Sequence, residues 1–254
     1  MHAEWTKLRT TPAVGWLLVA VVVAPVATGW STSALSECAP GACVRDPATI
    51  SLVGVHIGQV LVAALAVVVV GGEYATGMMR TTLTAVPRRW AVLGAKALVV
   101  GGTVAVAGAV AVAASLAVGA DVLPSGGFVD ADGAPLLSLT AGATLRAGVG
   151  TVLYLVLVAL LALGVTVAVR DPAAATGIVL AALYLVPLLV QVVSDPGWQR
   201  QLERLGPMPA GLAVQATTGL DDLPIGPWAG LGVLAGWTAA ALAIGTATFV
   251  ARDA

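Results

Sequence analysis

The stretch of the chain best equipped for chemistry is Glu73–Arg89, EYATGMMRTTLTAVPRR, where Glu73, Gly77, Arg80 and Thr84 fall at i, i+4, i+7 and i+11. That spacing gathers them on one face of a helix and leaves Tyr74, Met78 and Thr81 on another. Pro87 ends the helical pattern, and Arg88 and Arg89 follow it. A short helix with a polar face of this kind either docks on a partner or rests on lipid headgroups through its arginines. His56 and Gln59 stand nearly one helical turn apart inside an apolar run. Ionisable residues in such runs are expensive and usually functional, so the pair either lines a substrate path or hydrogen-bonds a neighbouring helix. Gln191 stands near the end of another run. Cys38 and Cys43, in ECAPGAC, flank a Pro–Gly pair that favours a turn. In an oxidising setting they form a disulfide that stiffens the loop; the alternative is two free thiols.

Other chemistries are missing. The chain has no GxxxxGK[ST] phosphate loop, and its two lysines, Lys7 and Lys96, lack that context. There is no GxSG serine, since Ser115 sits in AASLA, and no Asp lies inside an apolar run. Two His and two Cys, far apart, cannot supply the four clustered ligands of a structural zinc site. No catalytic residue, metal or cofactor is therefore expected in this chain, and no nucleotide hydrolysis. Twelve basic against thirteen acidic residues give a net charge of −1, which leaves no basic field for nucleic acid.

These residues must be carried by membrane elements. Of 254 residues 59% are hydrophobic and 10% charged, with a mean hydropathy of +0.98; a soluble domain carries about 25% charged residues. Six runs approach the roughly 20 apolar residues of a membrane-crossing helix: Ala13–Trp30, Ile50–Gly72, Ala97–Gly119, Ala147–Val169, Ala173–Val193 and Pro227–Val250. They are continuously apolar rather than alternating, so the fold expected is an all-α integral membrane protein and not a barrel. The first run follows Lys7 and Arg9 as a signal peptide would, but it is too long for a typical signal core. Six spans put both termini on one side. That side holds Lys7, Arg9, Arg80, Arg88, Arg89, Lys96, Arg170 and Arg252, against Arg45, Arg146, Arg200 and Arg204 on the other, so the termini are expected in the cytoplasm. Arg170–Asp171–Pro172 is a turn so short that spans four and five must be antiparallel neighbours. Pro25 and Pro187 interrupt the hydrogen bonding of their spans and should kink them. Asp195–Pro196 starts a short amphipathic helix with Trp198, Leu202 and Leu205 on one side and Gln199, Arg200, Glu203 and Arg204 opposite. A second short helix is expected across Gly211–Thr217, after the GPMP break. The two either cap a pathway or simply lie at the interface. No repeat relates the halves, which weakens a secondary-transporter reading.

The segment EYATGMMRTTLTAVPRR resembles the first cytoplasmic loop of membrane-spanning subunits of ABC transporters of the type-2 exporter class, with the pattern E-Y-x-x-G-x-x-R-x-T-L followed by P-x-R. The matching positions are Glu73, Tyr74, Gly77, Arg80, Thr82, Leu83 and Pro87, with Arg88 or Arg89 as the trailing base. Glu4, Lys7, Leu8 and Arg9 resemble the family's amphipathic entry helix, placed at residues 1–12, and the stretch from Pro227 to the end resembles the sixth span of actinobacterial members. The resemblance implies one transmembrane domain over residues 1–254, a coupling helix at about 73–86, and a bacterial plasma-membrane permease. It further implies two copies of a separate ATP-binding subunit that holds ATP and magnesium, and a second permease, identical or related. Cargo would cross along the second and fifth spans, making His56, Gln59, Tyr184 and Gln191 candidates for the path. A lining of Val, Leu and Ala favours an amphiphilic or apolar cargo such as a drug, antibiotic, lipid or peptide. Readings from other classes are a non-transporting membrane anchor or immunity protein, and a secondary transporter.

Overall fold

Prolines and carboxylates set where the helices begin. The computed structural model describes residues 12–38, 45–75, 89–130 and 132–251. Within them the helices are α1 (Pro12–Leu35), α2 (Pro47–Ser51), α3 (Val55–Ala75), α4 (Arg89–Val122), α5 (Gly142–Val169), α6 (Pro172–Val192), α7 (Pro196–Leu205), α8 (Pro207–Leu212) and α9 (Pro227–Ala251). Asp46, Asp171 and Asp195 each cap a helix whose next residue is proline. The aspartate accepts amide hydrogens the helix cannot bond itself, and the proline has none to lose. Among the described residues the only strand-like pairing is the isolated bridge Val129–Pro135.

Six of these helices, α1, α3, α4, α5, α6 and α9, are long and apolar enough to cross a membrane. Their ends differ from the apolar runs in instructive ways. The first helix continues past Trp30 to Leu35, because its hydroxyls are absorbed by its own backbone: Thr32 Oγ1 donates to the Thr28 carbonyl at 2.8 Å and Ser36 Oγ to that of Thr32 at 2.7 Å. The second run splits into α2 and α3 around Gly54, which packs on the backbone of Pro25. The glycine pair Gly71–Gly72 does not break α3, which runs on to Ala75. The third span, α4, starts at Arg89 rather than Ala97 and so takes Lys96 inside. The short helix expected across Gly211–Thr217 begins earlier, at Pro207, and passes into a 3-10 turn over Ala213–Gln215. Proline at a first helical position initiates rather than breaks.

The centre of the bundle is α5, with α9, α3 and α4 against it and α6 alongside. Over the central stretches, 56% of α3 and of α5 is buried inside the chain, against 17% of α6. The outer helices instead turn apolar side chains outward, among them Trp16, Val106, Leu188 and Ile244, a surface that hydrocarbon accepts and water does not. Helices pack closely in such surroundings through small residues. A Cβ on Gly164 of α5 would fall 2.6 Å from the carbonyl carbon of Ala241, and one on Gly245 of α9 would fall 2.5 Å from the Gly164 oxygen. Thr238 Oγ1 crosses the same interface to the Leu157 carbonyl at 3.1 Å. Spans four and five, α5 and α6, are joined by Arg170, in the left-handed region at φ 63°, and by Asp171, whose carboxylate accepts from Ala174 N at 2.7 Å.

The α5–α9 crossing gives a direct test. Adding one methyl at Gly164 should lower stability by about 1–3 kcal/mol through overpacking. Gly232→Ala, on the same α9 with nothing within 4 Å of the added carbon, should not. Thermal unfolding of the two alanine variants in detergent distinguishes them; equal midpoints would mean that the helices do not cross there.

Candidate functional site

One end of the bundle, called basal here, gathers the end of α3, the starts of α4 and α6, and the ends of α5 and α9. Glu73 lies in the last turn of α3 and meets Lys96 of α4, with Oε1 to Nζ at 2.7 Å. Both side chains are almost wholly buried, at 4% and 1% exposure. Two opposite charges inside an apolar bundle are tolerated because each supplies what solvent no longer does. Next to them the Arg170 guanidinium lies 5.9 Å from the centre of the Tyr74 ring, within range of a cation–π attraction, and its Nη2 reaches the Thr248 carbonyl at 3.4 Å. Pro172 packs on Gly71, where a Cβ would come 2.8 Å from the proline Cγ. Glu73 was expected to offer its charge to a partner. Its carboxylate turns instead to Lys96, and Tyr74 also belongs to α3 rather than to a separate loop helix.

Nearer the other, apical end is a chain of hydrogen bonds. Tyr154 of α5 donates to Gln59 Oε1; Gln59 Nε2 donates to Tyr184 Oη of α6 at 2.8 Å; Tyr184 Oη donates to the backbone carbonyl of His56. Gln59 and Tyr154 have no exposed surface. Met208 of α8 completes the group, its sulfur 3.3 Å from Gln59 Nε2. The short helix α8 thus reaches into the bundle, with Gly211 set so close to the Tyr154 ring that a Cβ would fall 2.7 Å from it. The chemistry of this cluster is hydrogen bonding: it fixes α3, α5, α6 and α8 in one register through groups that each find a partner.

Apically, Asp46 does more than cap α2. One oxygen accepts from Ala48 N at 3.0 Å and Thr217 Oγ1 at 2.7 Å, the other from Thr217 N and from Thr218 N at 3.0 Å. Arg146 Nη2 donates to the Ala216 carbonyl at 2.5 Å, so the loop before α2 and the loop before α9 are strapped to α5. A cavity of about 740 Å³ lies against this strap, and one of about 370 Å³ lies beside His56.

Of the path candidates, the structure brings His56, Gln59 and Tyr184 together; Gln191 stands apart, exposed near the end of α6. Cys38 is disulfide-bonded, while Cys43 lies outside the described residues. So do Glu4, Lys7 and Arg9 of the expected entry helix, and Gly77, Arg80, Thr82, Leu83 and Arg88 of the expected coupling helix. Tyr154 and Met208 were not expected at the site. Tyr154 is the one aromatic residue of α5, and a phenol within an apolar run needs a hydrogen-bond partner. That signal was available. Met208, enclosed in GPMP, offered none.

Compared with models of known protein families, the chain matches none, and no curated protein matches it.

Two outcomes follow. Replacing Glu73 alone by Leu should cost about 3–5 kcal/mol by breaking its buried ion pair with Lys96, whereas Glu73→Leu with Lys96→Met should recover most of that loss; unfolding midpoints of the single and double variants read the difference. A cycle of Tyr154→Phe and Gln59→Leu should show a coupling of about 0.6–1.7 kcal/mol, the range of hydrogen bonds between membrane helices. Additive effects would place the two side chains out of contact.

Proposed function

We propose that this chain is the membrane-spanning permease subunit of an ATP-driven exporter of the type-2 ABC class, moving an amphiphilic or apolar cargo out through the plasma membrane of a bacterium. The observation that carries the reading is the Glu73–Arg89 segment, whose sequence resembles the coupling loop of that class and whose two ends are continuous with α3 and α4. Because Glu73 and Lys96 clamp those helices together at 2.7 Å, a push on the segment would move them as one body, the form in which a partner's stroke is best transmitted. The energy would come from two separate ATP-binding subunits, each holding ATP and magnesium, with a second permease copy completing the path. Residues 1–12 serve as the entry helix in this reading, the stretch that follows α3 up to about residue 86 as the coupling helix, and both termini lie in the cytoplasm by the distribution of Lys and Arg. Among the described basic residues, Lys96 and Arg170 lie at the basal end and Arg146 and Arg204 at the apical end; the orientation itself rests on the eight-to-four distribution in the sequence.

Gly77 and Arg80 carry the test. Gly77 offers close approach to a partner surface, and Arg80 offers a charge on the same face. Gly77→Trp and Arg80→Glu, compared at matched membrane levels, should reduce co-purification of the ATP-binding subunit or uncouple its hydrolysis from export. A surface helix without a partner would shift by about 0.5 kcal/mol or less and leave both measurements unchanged. That result would remove the reading and favour a membrane anchor.

A further inference from the structure

We infer that the apical cavity beside His56 is a binding site for a small amphiphile bearing a primary amine and a hydrogen-bond acceptor on an apolar body, as a short apolar peptide amide does. The cavity encloses about 370 Å³ between α3, α7, α8 and the loop leading to α9, at the lower end of the range for small-molecule sites. Its apolar wall includes Leu212, Leu223 and Ile225, and beside Thr49 its polar lining holds three residues from three different elements, His56, Glu203 and Gln215.

What distinguishes these three is that the fold does not use them up. Gln215 is 3% exposed, and its amide nitrogen has no hydrogen-bond partner. A buried donor in that condition costs about 1–3 kcal/mol until something accepts from it. Glu203 sits between two arginines on α7, yet both are engaged elsewhere: Arg200 Nε with the Pro196 carbonyl at 3.3 Å and Arg204 Nε with the Pro224 carbonyl at 2.6 Å. The one ion pair found among the described residues is Glu73–Lys96 at the far end of the bundle. Glu203 therefore brings to the cavity a carboxylate that forms no ion pair among the described residues, its flanking arginines donating to carbonyls instead. His56 contributes its backbone carbonyl to Tyr184, which leaves the imidazole to donate or accept toward the cavity. In the larger 740 Å³ cavity the Asp46 carboxylate is already taken by Thr217 and Thr218, and the wall holds Arg45 as well as Asp222.

The chemistry of the occupant follows from these groups. Glu203 recognises an ammonium, Gln215 Nε2 donates to a carbonyl oxygen, and the leucines and isoleucine take an aliphatic side chain. The apical loops add a favourable field, with nine acidic residues (Glu37, Asp46, Asp121, Asp130, Asp132, Asp195, Glu203, Asp221 and Asp222) against four arginines (Arg45, Arg146, Arg200 and Arg204), which raises the local concentration of a cation. Met208 and Pro209 are neighbours on α8, the first against Gln59 and the second in the cavity wall. An occupant would thus sit directly against the helix that closes the polar cluster. The inference stands apart from the export reading, since binding is measured on this chain alone.

The test uses the full chain in lipid nanodiscs with leucyl-leucinamide as probe, followed by calorimetry and by saturation-transfer NMR. Saturable one-site binding is expected. Acetylation of the probe's amine should weaken it at least tenfold, as should Glu203→Gln, a half-exposed position where the change leaves the fold intact. Gln215→Leu should also weaken binding, while Arg200→Gln should not. Uptake that does not saturate and equals that of empty nanodiscs would overturn the proposal. So would saturable binding indifferent to both acetylation and Glu203→Gln.

Discussion

A polar group carried into an apolar bundle is costly unless it is matched, because neither hydrocarbon nor a neighbouring helix of Val and Leu will solvate it. This constraint organises the molecule at each level. Along α1 it is met locally, by hydroxyls returning to carbonyls one turn back. Between helices it is met by pairing, at Glu73–Lys96 and through Tyr154–Gln59–Tyr184. The pairings are few, so each fixes a specific relation between helices rather than adding to a general attraction.

Small residues make those pairings geometrically possible. Gly164 and Gly245 let α5 and α9 approach to backbone contact, and Gly211 lets α8 press against the Tyr154 ring. A bulkier residue at any of these places would push two helices apart and pull hydrogen-bonding groups out of reach. Steric and polar demands therefore meet at the same crossings: Gly211 lies three residues beyond Met208, which touches Gln59. The apical strap works in the opposite manner, through charge and backbone donors near the bundle's end, where Asp46 takes bonds from residues more than 160 positions away.

The six long helices were legible because sustained apolar runs leave few alternatives, and so was the tight Arg170–Asp171–Pro172 turn. Helix ends were less so. Lys96 reads as a loop residue in the sequence, since a single lysine marks a boundary unless its partner is known, and Glu73 lies 23 residues earlier. Nor does the sequence show that Glu73 is paired with Lys96. Gln59 was recognisable as an intruder in an apolar run, whereas Tyr154 passed as one more large apolar residue. Proline read as a breaker hid the start of α8 at Pro207, where its missing amide is no loss.

Helix α3 connects the parts. It carries Glu73 at the basal pair, Gln59 in the polar cluster, and His56 at the wall of the apical cavity. The seventeen residue steps from His56 to Glu73 span about 25 Å at 1.5 Å per residue, with no proline among them and no break at Gly71–Gly72. A helix packed on α5 along that length moves as a unit or not at all, since close-packed interfaces shift between discrete arrangements rather than deform gradually. Any displacement of its basal end must therefore be felt at Gln59 and at His56. Whatever occupies the cavity or loads the basal segment biases the same rigid element, which is the physical condition for two distant sites to influence one another.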